Sequence, residues 1–381
     1  MVRTEKLIGR ARVAMAAALL AFAADAAANP QWRGEWPRTD FSKRTVALEE
    51  IQSGGPPKDG IPAVDQPRFV TQAEAARWLD PREPVIVFEH AGDVRAYPLQ
   101  ILTFHEIVND TVGGIPVAVT FCPLCNASIV FDRRMQGAVL DFGTTGKLRK
   151  SDLVMYDRQT ESWWQQFTGQ GIVGRHAGTV LTQVPSTIVA FDEFRKAYPK
   201  AQVLSRQTGF SRPYGRNPYR GYDRVGDHPF LFFDPVDPRL PAMERVLGVT
   251  SGGKTRIYPF AVLSGQPVVN DEVGGEPIAV FSQEGMLSVL DAEVIRDSRR
   301  IPAAAAYSRA VRGKVLSFER RDHRIVDRET GSQWDIFGRA TAGPLQGARL
   351  KPADSGVHFA FAWLAFHPGS EIYGSTGVAR R

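Results

Sequence analysis

The chain repeats itself. Residues 83–119 align with residues 244–280 at a constant offset of 161, and 16 of the 37 aligned positions are identical. Chance at ordinary residue frequencies supplies roughly 2 or 3. The shared set includes Glu83, Arg95, Tyr97, Pro98, Asn109, Asp110, Gly113 and Gly114. Such a duplication restricts the fold to two homologous halves of like architecture, each needing a partner surface for its apolar face. It also serves as an internal control. What both copies keep reads as scaffold, and what only one keeps is a candidate for function.

The difference between the copies is chemical. The first reads Thr120-Phe121-Cys122-Pro123-Leu124-Cys125-Asn126 and holds the only two cysteines. The second reads Phe281-Ser282-Gln283-Glu284-Gly285-Met286 at that place. His105-Glu106 in the first copy is Gln266-Pro267 in the second. Thiols, imidazole and carboxylate vanish together, while the turn residues stay. The first copy therefore reads as the working half and the second as its structural partner.

Strand-type runs dominate, so the expected fold is α+β and strand-rich, with the two halves packed as one body about a pseudo-twofold axis. The expected divisions are a leader (1–28), a lead-in (29–82), repeat 1 (83–205), an aromatic and arginine-rich connector (206–242) and repeat 2 (243–381). In the lead-in, Thr71 and Glu74 have capping-box spacing for a short helix over 71–79. In repeat 1, strands are expected at 85–89 and 93–97, then a helix opened by Pro98 and running to about Val108. Further strands are expected at 115–121, 128–133, 139–142 and 153–157. Glycine-broken strands follow at 162–173 and 179–183. A closing helix capped by Ser186 or Thr187 ends before Pro199. Asp157 and Arg158 recur as Asp327 and Arg328 and read as a structural pair, and Met155 as core. The connector has the aromatic density of an ordered segment, with Tyr214, Tyr219 and Tyr222 among arginines and prolines.

The start of the chain has secretory-signal form. Arg3, Lys6, Arg10 and Arg12 precede an apolar stretch over 13–24, then small residues to a cleavage site near Ala28. A periplasmic or secreted protein is expected, with no transmembrane segment in the mature chain. Loss of the leader removes four basic and two acidic residues, taking the formal charge from +6 to +4. That excess is scattered, and with export it argues against nucleic acid as a partner. An unknown periplasmic partner or a small ligand is expected instead. Gly113-Gly114 lacks the rest of any nucleotide fingerprint, and Asn126 stands where c-type haem attachment requires histidine.

Three readings of Cys-Pro-Leu-Cys stay open at this stage. In the first, Cys122 and Cys125 form a knuckle gripping a soft ion, copper or zinc, with His105 as the favoured third ligand. Asn126 is then suited to a left-handed residue closing the turn, and Glu106 and Asp152 are outer partners or ligand-binding groups. His90, Met155 and His176 are weaker ligand candidates. In the second, the pair is a thiol–disulfide oxidoreductase centre, although β-type sequence after Cys125 withholds the helix that ordinarily activates such a thiol. In the third, Cys122 and Cys125 form a structural disulfide in a non-enzymatic small-ligand-binding module.

Arg95-Ala96-Tyr97-Pro98-Leu99, His105 to Asp110, Thr120 to Cys125 and Ser151 to Arg158 together resemble the bacterial exported proteins grouped as domain of unknown function 3179. The resemblance covers most of residues 82–374. It carries no activity with it, because the family is named for lacking one. Members often have Asn where this chain has Lys150.

Overall fold

The computed structural model describes residues 30–374 of the 381. The expected leader falls outside them. Of the described residues, 30–37, with helix α1 (Pro30–Glu35), belong to one unit, and 38–374 to a second compact unit. Among the described residues no helix is long and apolar enough to cross a membrane.

The second unit is strand-rich with short helices. It opens with β1 (Ile51–Ser53), β2 (Phe69–Val70) and helix α2 (Gln72–Ala75). Next come the hairpin β3 (Pro84–His90) and β4 (Asp93–Pro98), helix α3 (Leu99–His105), and the hairpin β5 (Ile107–Val112) and β6 (Ile115–Cys122). After the cysteine turn run β7 (Ala127–Asp132), a small hairpin of β8 (Arg134–Met135) and β9 (Ala138–Val139), β10 (Phe142–Arg149) and β11 (Asp152–Asp157). Then follow β12 (Trp163–Gln165), β13 (Gly171–Val173), β14 (Gln183–Val184), β15 (Thr187–Ala190), helix α4 (Phe191–Ala197) and β16 (Gln202–Leu204). They pair into three sheets, ordered β15-β3-β4-β16-β2, β14-β7-β6-β5 and β1-β10-β11-β12-β13.

Residues 206–242 contain no strand or helix. Beyond them lie β17 (Arg245–Ser251), β18 (Lys254–Pro259), α5 (Phe260–Gly265), β19 (Val268–Val273), β20 (Glu276–Leu287) and β21 (Arg300–Ser308). The chain continues with β22 (Ala310–Val311), β23 (Lys314–Val315), β24 (Phe318–Arg321), β25 (Arg324–Asp327), β26 (Gln333–Trp334) and β27 (Ala340–Ala342). It closes with β28 (Asp354–Phe359), α6 (Ala360–Phe366) and β29 (Glu371–Ile372). Sheet orders here are β28-β17-β18-β29, β19-β20-β21 and β24-β25-β26-β27. Strand β15 packs on β21, and β28 packs on β7. A large apolar core runs from Ala63 to Leu364, and a smaller separate one gathers Leu247, Val249, Tyr258, Val269, Val280 and Val357.

Residues identical at the 161-residue offset make the same bonds in both places. Asp110 accepts from Arg95 Nη1 at 2.7 Å and Tyr97 Oη at 2.6 Å; Asp271 accepts from Arg256 at 2.7 Å and Tyr258 at 2.8 Å. Asn109 bonds both backbone groups of Phe142, and Asn270 those of Phe318. At a larger offset of 170 (327 − 157), the Asp157 carboxylate caps its turn and accepts from Trp164 Nε1 at 2.9 Å, as Asp327 does from Trp334. Arg158 is not Asp157's partner: it reaches Asp65 and Asp59, because Asp157 is fully occupied inside.

Three expected boundaries move. Thr71 and Glu74 do form the capping box, but the helix behind them ends at Ala75. Helix α3 stops at His105, where Glu106 turns left-handed (φ 58°), and Asn109 and Asp110 lie in strand β5. The β-branched Ile107-Val108 start that strand, and the Gly113-Gly114 turn, positive in φ at both positions, folds it onto β6. Thr187 begins strand β15 instead of capping a helix, and α4 starts only at Phe191.

Candidate functional site

The cysteines sit where a strand runs into a tight turn. Cys122 ends β6 and pairs with Ala127 across the hairpin, so Pro123 to Asn126 form the loop. Asn126 N–H donates to Pro123 O at 3.2 Å, and Asn126 has φ 49°, the left-handed conformation its side chain tolerates best among non-glycine residues. Phe359 N–H, at the end of β28, donates to Cys125 O at 2.9 Å. Both thiols are buried and unbridged. The disulfide of the third reading is therefore not formed, and the sulfurs lie beside a carboxylate.

That carboxylate is Asp152. Lys150 and Ser151 are both left-handed (φ 54° and 61°), a two-residue turn that swings β10 back into β11 with Asp152 at its head. Asp152 Oδ2 accepts from Gln165 Nε2 at 2.7 Å and from Phe167 N–H at 2.9 Å. Its Oδ1 is buried without a hydrogen-bond partner. Cys125 Sγ donates to Ser151 O at 3.4 Å. Ligand atoms of Cys122, Cys125 and Asp152 all lie within 4.8 Å of one another, a group able to hold a metal ion.

Glu106 adds a fourth acid. It caps α3, its N–H donating to Leu102 O at 2.7 Å and its carbonyl accepting from Phe121 N–H at 2.8 Å, which ties it to the strand that ends in Cys122. Burial, with the Asp152 charge, pushes its carboxyl up to about 8 against a lowering hydrogen bond from Tyr219. Burial likewise raises Asp152 to about 7, opposed by hydrogen bonds from Gln165 and Phe167. Burial also lifts both thiols, that of Cys125 well above the ordinary range. None of the main influences on these four groups is a positive charge.

His105 is not part of this group. Its Nδ1 is 2.7 Å from Pro62 O and its Nε2 2.5 Å from Tyr214 Oη, so both ring nitrogens are engaged. Glu106 consequently does not orient the imidazole. His176 packs against Trp164, and Met155 is core.

Beside the turn lies a cleft of about 330 Å³ with mostly carbon walls. Leu124, Leu153 and Glu106 border it on the cysteine side, and Tyr219, Tyr222 and Phe230 of the connector roof it. Tyr222 Oη donates to Leu124 O at 3.1 Å and accepts from Phe230 N–H at 3.2 Å; Ser151 Oγ donates to Phe230 O at 2.5 Å. Only the connector's aromatic density marks these roof residues in the sequence. Asp152 had a signal, since the Ser151-Asp152-Leu153 segment is missing from the second copy.

The family described as "Protein of unknown function (DUF3179)" matches residues 58–370. No curated protein matches the chain, and no solved structure does.

Proposed function

The chain belongs to the DUF3179 family of unknown function, and for this member we propose a metal centre in which Cys122, Cys125 and Asp152 hold one thiophilic ion. The observation that carries this reading is four acidic groups buried together with no cation among their main influences. Withdrawing a charge from water costs several kcal/mol, so buried charges are paired or bind metals. Asp152 Oδ1, buried and without a partner, is a ready ligand atom.

Zinc matches the donors best. Tetrahedral zinc with sulfur and oxygen ligands puts them about 3.3–3.8 Å apart, a modest closing of the 4.8 Å group. Copper(I) prefers sulfur throughout, and a carboxylate oxygen counts against it. Three protein ligands leave a fourth position open, as in catalytic zinc sites. The thiol–disulfide reading has less support, since burial raises both thiols and Cys122 ends a strand with no helix N-terminus to activate it.

The rest of the proposal concerns the setting. The two halves derive from a duplication in which the first copy keeps the site and the second braces it. The recurring Asp110 and Asp271 networks support this, as does the reciprocal packing of β15 on β21 and β28 on β7. The basic, apolar and small-residue start speaks for export.

Purification without chelator, then metal analysis and thiol titration, tests the centre. We expect about one zinc per chain, with both thiols reactive only after chelation. Unchanged metal content in the Cys122→Ser/Cys125→Ser variant would end this reading.

A further inference from the structure

We propose that the cleft beside the cysteine turn binds a small uncharged molecule, apolar over most of its surface, that presents one hydrogen-bonding group to Glu106. This goes beyond the metal reading and does not depend on it. The volume of about 330 Å³ lies at the lower end of the range of roughly 300–1,000 Å³ typical of ligand pockets. Pro56, Ile61, Leu148 and Leu153 supply carbon on one side and the connector's rings on the other. Lys147 also lines the cleft but is buried and already engaged elsewhere, so a ligand charge of either sign would lose its water to those walls, which is expensive without a dedicated partner. Polar groups converge at the Glu106 end, where the carboxyl meets Tyr219. That is the arrangement of a pocket in which carbon gives affinity and one fixed polar group gives orientation.

The cleft is held in shape. Gly146 lies on its floor at φ +69°, and a Cβ there would come within 1.9 Å of Pro56 O, so strand β10 presses directly on the lead-in. The roof is tied to the Asp152 hairpin through Ser151 Oγ and Phe230 O. Glu106 lines the cleft and also acts on the charge of Cys122, so a bound molecule would sit one side chain away from the thiols.

The test is calorimetric titration of the purified full-length chain with 2-naphthol, a neutral two-ring molecule with one hydroxyl. Wild type is expected to bind it. Ile61→Trp fills the cleft while keeping the backbone carbonyl that accepts from Thr144 Oγ1, and should weaken binding at least about tenfold with an unchanged circular dichroism spectrum. Glu106→Leu should weaken it by roughly 2–10-fold, the worth of one hydrogen bond. Naphthalene-2-carboxylate should bind wild type at least about tenfold more weakly than the naphthol. The Cys122→Ser/Cys125→Ser variant should bind 2-naphthol like wild type, which separates this inference from the metal centre. No binding by wild type, equal binding by Ile61→Trp, or a carboxylate that binds as tightly as the naphthol would overturn it.

Discussion

At Asp152 two things meet that no local pattern announces: a carboxylate anchored on one oxygen by Gln165 and Phe167, and a second oxygen left beside two thiols. His105 looked like the better ligand because it disappears with the cysteines in the second copy. Its ring is spent on Pro62 and Tyr214 instead. The two residues therefore predict opposite results. Asp152→Asn should lower zinc affinity by more than the roughly 10–100-fold typical of losing an outer partner, read by competition with a chelating dye. His105→Gln should leave that affinity nearly unchanged while costing about 1–3 kcal/mol of stability, because it disturbs a buried hydrogen-bonded pair. The thiols add a pH dependence. Burial raises both above their ordinary value and lifts Asp152 to about 7, so zinc must displace two thiol protons and, below about pH 7, a carboxyl proton as well; apparent affinity should climb with pH by up to about a hundredfold per unit above pH 7 and more steeply below it. A flat affinity between pH 6 and pH 8 would contradict thiolate ligation.

Among the elements, the tight hairpins were the most legible from sequence, since they depend on local chemistry. The strand pair expected at 85–89 and 93–97 forms as β3 and β4, and the Thr71 and Glu74 capping box forms as spaced, whereas Gly113-Gly114 turns onto β6 a strand, β5, that the helical reading of this stretch did not contain. What was not legible depended on contacts across the fold. Residues 107 and 108 continue an apolar helical pattern, yet pairing with β6 claims them as strand, and Thr187 joins β3 for the same reason. Of the site, the cysteine turn and its left-handed Asn126 could be read. The connector's place as a roof could not, because Tyr222 meets Leu124 about 98 residues away. The hairpin also yields a contrast. Gly113→Ala puts a Cβ 2.1 Å from His90 O at φ +54°, whereas Gly114→Ala at φ +87° meets open space. Gly114→Ala should cost about 1–2 kcal/mol, the left-handed penalty alone, and Gly113→Ala distinctly more. Urea unfolding of the two variants measures the gap.

For the molecule as a whole, segments far apart in sequence meet through aromatic rings. His358 of β28 packs tilted against Phe167 at 4.6 Å and Trp363 at 5.2 Å, buried, with Nδ1 unpartnered. Burial, with a smaller push from His367, drives its pKa down to about 3. The sign follows directly. The unfolded chain takes up this proton below about pH 6.5 and the folded chain does not, so stability is lost as pH falls from there toward 3. His358→Phe should flatten that decline between pH 6.5 and pH 4 in denaturation curves; an unchanged decline would mean that other groups cause it.

The hydrogen bond from Phe359 to Cys125 joins positions about 230 residues apart in the chain. At a synthesis rate of roughly 5–20 residues per second, some ten to fifty seconds pass between the making of the cysteine turn and the arrival of the strand that covers it. Throughout that interval the cysteine turn lacks a backbone partner that the finished fold supplies. The site is thus among the last parts of the chain to be completed, and a chain cut short before Phe359 should carry both cysteines without the fold that positions them.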